Sequence, residues 1–201
     1  GSGSPSRRKR KKVKPPKPMT APLVPLDAHK RAFMFGNFGL TRADLERGRF
    51  KFCPEKGGYA FPVMDPRGFE RGIVLRYYDG RKNKAIAYPD NPEKPWLAWY
   101  MHDTGFDRVI LVEDQISSLR LSKFVTAVSI MGTSMSEDGA QEVANMKPGS
   151  VTIALDNDAT NSAYKLRKWY GLLWGNVDVV HMPKDAKDMT DDELTGVFSL
   201  E

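Results

Sequence analysis

Asp156 and Asp158 stand one residue apart at the end of an apolar run, VTIALDNDAT (Val151 to Thr160). Val151, Ile153 and Leu155 read as a buried strand, and Ala163, Leu166, Trp169, Tyr170 and Leu173 recur at helical spacing just beyond it. The two carboxylates therefore fall where a strand hands over to a helix. In open α/β sheets that edge, outside the carboxyl ends of the strands, is where ligands bind. Two chemistries are open at such a pair. One is a helix N-cap, favoured by the macrodipole; the other is cation binding, because adjacent unpaired carboxylates repel unless a cation joins them.

Further acids close other apolar runs. Glu113 ends RVILVED (Arg108 to Asp114), and Asp185 and Asp188 follow NVDVVHM (Asn176 to Met182). Four or five carboxylates gathered on one sheet edge would raise one another's pKa unless hard cations are present. An oxygen-only donor set favours Mg²⁺ or Mn²⁺ over zinc. Two such ions about 4 Å apart suit in-line displacement at phosphorus.

The elements that must position these acids are legible from residue 107 onward. Strand patterns at Arg108–Asp114, Thr126–Gly132, Val151–Leu155 and Asn176–Met182 alternate with helical patterns at Gln115–Lys123, Ser136–Met146, Ala163–Leu173 and Thr190–Leu194. Such alternation predicts βαβ units, right-handed crossovers and a parallel sheet of about four strands flanked by helices. Ahead of it, residues 27–47 read as two helical pieces broken at Gly36–Gly39, with Thr41 an N-cap and Gly48 a stop. Short extended pieces follow at Arg49–Phe52, Tyr59–Met64, Arg71–Tyr78, Lys84–Tyr88 and Trp96–Met101, with Asp65-Pro66-Arg67-Gly68 as a tight turn. The fold class is thus α/β preceded by a small α+β, antiparallel-rich unit. The division is 1–25 as an arm, 26–105 as the N-terminal unit and 106–201 as the α/β domain.

Composition narrows the function classes. No run approaches the ~20 apolar residues of a membrane span, no signal peptide is evident, and no membrane partner is expected. The single cysteine, Cys53, excludes an internal disulfide framework and a cysteine-rich zinc site within this chain, and implies a reducing, cytoplasmic setting. Arg7 to Lys17 holds eight positive charges and no acid; subtracting them from the formal +6 leaves −2 for the rest. Gly1–Ser4 reads as a cloning remnant. The basic, proline-rich segment behind it reads as an extended arm suited to salt-sensitive polyanion contact, to nuclear targeting or to solubility alone. Arg76, Arg81, Lys82 and Lys84 crowd the third and fourth strands, where they could meet phosphates or simply solvate a hairpin tip. His181, His102, Trp96 and Trp99 read as structural residues.

In order, an acid after the first strand, a glycine-containing turn after the second (IMGTS, Ile130 to Ser134), Asp-x-Asp after the third and a KDxxD-like loop after the fourth resemble the TOPRIM domain. GYAFPVMDPRG, then RGIVLR and AYPDNPEK, resemble the segment preceding TOPRIM in bacterial and phage replicative primases. The likeness covers roughly residues 36–194. It implies synthesis of short RNA primers on single-stranded DNA from ribonucleoside triphosphates, with two Mg²⁺ or Mn²⁺ ions. By position it makes Glu113, Asp156 and Asp158 catalytic residues and metal ligands, and adds Asp185 and Asp188 as further acids. Arg76 falls on the strand-end arginine expected to touch template or nucleotide, with Arg81, Lys82, Lys84, Lys56 and Lys184 as supporting cations. The family usually has Gly after the glutamate and Asp four residues on, where this chain has Asp114 and Ser117; it has Gly58 and Ala87 where basic residues are usual. No zinc-binding or helicase module is present, so a separate helicase or zinc-binding template-recognition protein is an expected partner. The expected setting is a bacterial or phage-infected cytoplasm.

Two other functions share these features: a TOPRIM nuclease, and a non-catalytic module binding single strands. The aspartyl-nucleophile phosphatase pattern also fits Asp156-x-Asp158-x-Thr160, but its fold needs several further strands. An EF-hand fails at Asn161 and Arg167, where Gly and Glu are required.

Overall fold

The computed structural model describes residues 17–89 and 96–201. Most of the basic arm and the PDNPEK portion of AYPDNPEK lie outside the described residues. Two five-stranded sheets organise the chain. The first is antiparallel throughout, in the order β1 (Val24–Pro25), β2 (Lys51–Cys53), β3 (Gly58–Met64), β4 (Glu70–Arg76) and β5 (Ala85–Tyr88). The second places β10 (Val177–Val179), β9 (Ser150–Ile153), β7 (Arg108–Val112) and β8 (Thr126–Ser129) parallel to one another, with β6 (Ala98–Tyr100) antiparallel at the β8 edge. The strand read at Trp96–Met101 therefore belongs to the second sheet, not to the N-terminal unit. Its partners, Ala127–Ser129, lie nearly thirty residues downstream, a pairing that local pattern does not encode.

Local chemistry sets the helices α1 (Ala28–Phe38), α2 (Arg42–Gly48), α3 (Gln115–Leu121), α4 (Glu137–Asn145), α5 (Thr160–Trp174) and α6 (Asp191–Phe198). Asp27, Thr41, Asp114, Ser136 and Thr190 each accept an N-terminal amide at their helix. Thr41 and Asp44 form a reciprocal capping box. The break between α1 and α2 comes later than Gly36: Gly36 and Asn37 are helical, and Gly39, at φ +63°, ends the helix. Gly48 closes α2 from within, and Arg49 takes the left-handed conformation after it.

The second sheet is apolar on both faces, as a parallel sheet covered by helices must be. Val109, Leu111, Val151 and Ile153 point one way, into a core closed by α4 and α5 through Ala140, Val143, Ala163, Leu166 and Trp174. Ile110 and Val112 point the other way, against Leu121, Leu194 and Phe198. A third core joins the sheets: Phe61 and Val74 pack with Ala98 and Tyr100 of β6 and with Ile116 and Leu119 of α3. Gln115 Nε2 crosses the seam to the Pro62 carbonyl (3.0 Å) and the Tyr100 hydroxyl (3.1 Å). Arg47 crosses it to the Leu119 carbonyl at 2.8 Å.

Gly72 on β4 tests this packing. A Cβ there would lie 2.4 Å from Trp96 Cζ3 and 2.6 Å from the Tyr88 carbonyl oxygen of β5. Gly72→Val is expected to destabilise the chain by about 3 kcal/mol, read as a lower urea midpoint. Among the described residues no helix is long and apolar enough to cross a membrane.

Candidate active site

The carboxyl ends of β7 and β9 are adjacent, and each delivers an acid to the same rim. Glu113 follows β7 directly. Its carbonyl accepts from the Gly132 amide (3.2 Å) and from Ser129 Oγ (3.1 Å), so the turn after β8 fixes the backbone from which its side chain projects. Gly132 has φ +146°, which favours glycine at that turn. Glu113 Oε1 in turn accepts from the Asp156 backbone amide at 3.0 Å. Residues 43 apart in sequence thus meet at one hydrogen bond.

Asp156 makes no side-chain capping bond, although it precedes the 3-10 turn Asn157–Ala159 that leads into α5. Its carboxylate is therefore not committed to the helix end, and the N-cap alternative lacks its hydrogen bond. Burial first, then the charges of Glu113, Asp185 and Asp114, push the Asp156 pKa up to about 7, with Lys187 opposing the shift. Burial, assisted by the charge of Asp158, raises Glu113 as well, against the hydrogen bond from the Asp156 amide. Asp158 is exposed at the outer side of the pair. Asp185 precedes a second 3-10 turn, Ala186–Asp188, and likewise caps nothing with its side chain.

A cavity of about 520 Å³ opens over these acids and is shared between the two sheets. Glu113, Asp114, Asp156 and Lys187 line one side; Val74, Arg76 and Tyr78 line the other. Those last three are alternate residues, so the pleat turns them all to one face. Ala87 and Ala85 of β5 sit opposite Val74 and Arg76 in register and leave the cavity open. Phe38 extends the wall beside Tyr78, their rings 5.3 Å apart. The Tyr78 hydroxyl is shielded from solvent and has no hydrogen-bond partner, and burial raises its pKa.

The remaining cations of the N-terminal unit lie elsewhere. Arg81 pairs with Asp79 and lies over the Tyr77 ring, 3.8 Å from its centroid; Tyr77 belongs to the opposite face of β4 from Arg76. Lys56 shares that outer face, near Tyr88. Lys82 and Lys84 are exposed, and Lys184 pairs with Glu193 at 2.7 Å. Asp188 is exposed and does not line the cavity. The structure thus brings together Glu113, Asp156, Asp185 and Arg76, with Asp158 alongside. It adds Lys187, Tyr78 and Phe38, which sequence reasoning missed. Tyr78 had a signal, since it stands two residues after Arg76; Lys187 had only its place within the acid loop. Asp114 and Ser117, where the family usually has Gly and Asp, bind each other: Asp114 accepts from the Ser117 amide (2.8 Å) and hydroxyl (2.7 Å).

Among the described residues no three His, Cys, Asp or Glu side chains are already gathered about one point. The donor set nevertheless suits a hard divalent ion: it is all oxygen, half-shielded, and raises its own pKa values for want of neutralising charge. A pH dependence follows. Asp156 has a higher pKa folded than at its ordinary 3.8, so the folded state holds the extra proton between about pH 4 and 7. That contribution to stability is present on the acid side and lost as pH rises through 7. Without divalent ions the melting temperature is expected to fall by roughly 3–6 °C between pH 5 and 8, for about 1–2 kcal/mol after allowing for solvent screening. Mg²⁺ should suppress the fall, and Asp156→Asn should flatten it, both read by calorimetry.

The class defined by this geometry is a parallel α/β domain with carboxylates at the strand ends, fused to an antiparallel sheet that closes a shared cavity. Solved structures make it more particular. The chain is similar to a crystal structure of the Aquifex aeolicus primase, zinc-binding and RNA polymerase domains, at 21% identity and a TM-score of 0.59, over 89% of this chain and 50% of that one. It is similar to the DnaG primase catalytic domain bound to ssDNA at 16% identity and 0.66, over 84% and 69%. It is also similar to the RNA polymerase domain of Mycobacterium tuberculosis primase in complex with a double-stranded DNA oligomer with a 6-nucleotide overhang, at 16% and 0.56, over 88% and 65%. The fold is that of the DnaG-type primase catalytic core. The chain spans half the length of the Aquifex chain. No protein-family model matches it, and no curated protein matches it in sequence.

Proposed function

We propose that this chain is a primase catalytic core, a nucleotidyltransferase that builds short RNA primers on single-stranded DNA from ribonucleoside triphosphates. The observation that carries the reading is the meeting of Glu113 and Asp156 at adjacent strand ends, under a cavity whose opposite wall presents Arg76. The likeness to primase cores, one of them bound to ssDNA, supports it.

In the reaction the 3′-oxygen of the primer bonds to the α-phosphorus of the incoming nucleotide, the α–β bridging P–O bond breaks, and pyrophosphate leaves. Glu113, whose raised pKa makes it a competent base, receives the hydroxyl proton. Arg76 neutralises triphosphate or template phosphate across the cavity. Phe38 and Tyr78 offer ring faces on the same wall. A Mg²⁺ or Mn²⁺ ion held by Glu113, Asp156, Asp158 and Asp185 would supply charge stabilisation at the phosphates. A separate helicase or template-recognition protein would deliver the single strand, in the cytoplasm of a bacterium or phage-infected host.

The test uses end-labelled single strands of varied sequence, all four labelled ribonucleotides, and each metal in turn, resolved on a denaturing gel. Short labelled RNA that requires the template is expected. Shortened template without incorporation would replace this reading with the nuclease, and binding without turnover with the passive module.

A further inference from the structure

We propose that Lys187 is a resident cation of the acid cluster, set where a second divalent ion would otherwise bind, so that the chain takes one divalent ion rather than two. The inference rests on the divalent-ion reading above and goes on to fix the stoichiometry of the site.

Three placements carry it. Lys187 lines the same cavity as Glu113 and Asp156. Its Nζ lies 3.8 Å from Asp185 Oδ2, an ion pair too long to be a hydrogen bond, so its protons are not consumed there. Its charge is also felt at Asp156, where it opposes the three carboxylates that raise that group. The nearby Lys184 does not share this position, because it is tied to Glu193 at 2.7 Å. The other cation of the cavity, Arg76, stands on the far wall.

Electrostatics decides the number of ions. Glu113, Asp156, Asp158 and Asp185 face one ammonium, an excess of negative charge that a single divalent ion nearly neutralises and a second overshoots. Lys187 engages the Asp185 side of the cluster, which leaves Glu113, Asp156 and Asp158 to share the ion. A second ion would have to displace an ammonium of like charge from the same oxygens.

Calorimetric titration of Mn²⁺ into the full chain at pH 8, with free Mn²⁺ followed by electron paramagnetic resonance, tests this without template or nucleotide. One equivalent is expected for the unaltered chain, and a second equivalent in Lys187→Asp or Lys187→Ala. Both substitutions fall on an exposed side chain, and circular dichroism confirms the fold. The proposal is overturned if the unaltered chain binds no Mn²⁺ or two equivalents, or if both variants still bind one. A chain that shows the expected stoichiometries yet makes no RNA keeps this inference and loses the primase reading; the converse result does the opposite.

Discussion

Asp156→Asn is expected to lower template-dependent RNA synthesis by about 10³-fold or more while leaving the fold intact. The substitution keeps the side chain's shape and the backbone amide that donates to Glu113. It removes one charge from a carboxylate that makes no capping bond, so no structural contact is lost with it. Stability should move the opposite way from activity. At pH 8 the ionised Asp156 is half-buried beside Glu113 and Asp185, and its neutral replacement relieves that repulsion. A dead variant that melts higher than the unaltered chain in metal-free buffer is therefore the expected signature. A variant that merely unfolded would melt lower, and one that retained robust synthesis would remove Asp156 from the chemistry. Gel assay and calorimetry on the same preparation separate these outcomes.

The second large effect is expected at Arg120, which touches no substrate. Its side chain is almost wholly buried, and its guanidinium donates to the Ala186 carbonyl at 2.6 Å and to Asp191 at 3.2 Å. Ala186 follows Asp185 directly, so this arginine of α3 holds the backbone of the loop that brings a carboxylate to the rim. Asp191 keeps Lys123 as a second partner at 2.6 Å, so the loss of Arg120 falls mainly on the Ala186 carbonyl and on packing. Arg120→Ala is expected to cost about 2–3 kcal/mol, read from urea denaturation. Its second effect is functional: with the loop loosened, the Mg²⁺ concentration for half-maximal synthesis should rise several-fold. Arg120→Met restores volume but not the hydrogen bonds, so it should recover part of the stability and little of the Mg²⁺ response. Equal recovery of both would reduce Arg120 to a packing residue.

Much of the scaffold was legible because its patterns are local. Continuous apolar runs such as Arg108–Val112 mark strands covered on both faces, and the alternation Val109/Ile110/Leu111/Val112 divides them between two cores. Asp65-Pro66-Arg67-Gly68 closes the β3–β4 hairpin as its turn chemistry requires: the Asp65 side chain accepts from the Arg67 and Phe69 amides, both at 2.9 Å. Thr41 caps α2 for equally local reasons. What was not legible depends on distant contacts. Ala98–Tyr100 is too short to declare its sheet, which is set by its pairing with Ala127–Ser129. The basic cluster of the third and fourth strands looked uniform in sequence, yet the pleat sends Arg76 into the cavity while Arg81 pairs with Asp79 over the opposite face. In the acid loop, a 3-10 turn turns Lys187 toward the cavity and leaves Asp188 exposed. That choice lies in side-chain direction, which residue type and spacing do not specify.

Anomalous scattering from crystals soaked in Mn²⁺ measures the central proposition most directly. The account predicts a peak at the ends of β7 and β9, bounded by the carboxylates of Glu113, Asp156 and Asp158 at about 2.1 Å, and lost in Asp156→Asn. A peak elsewhere in the chain, or full Mn²⁺ occupancy in Asp156→Asn, would contradict it.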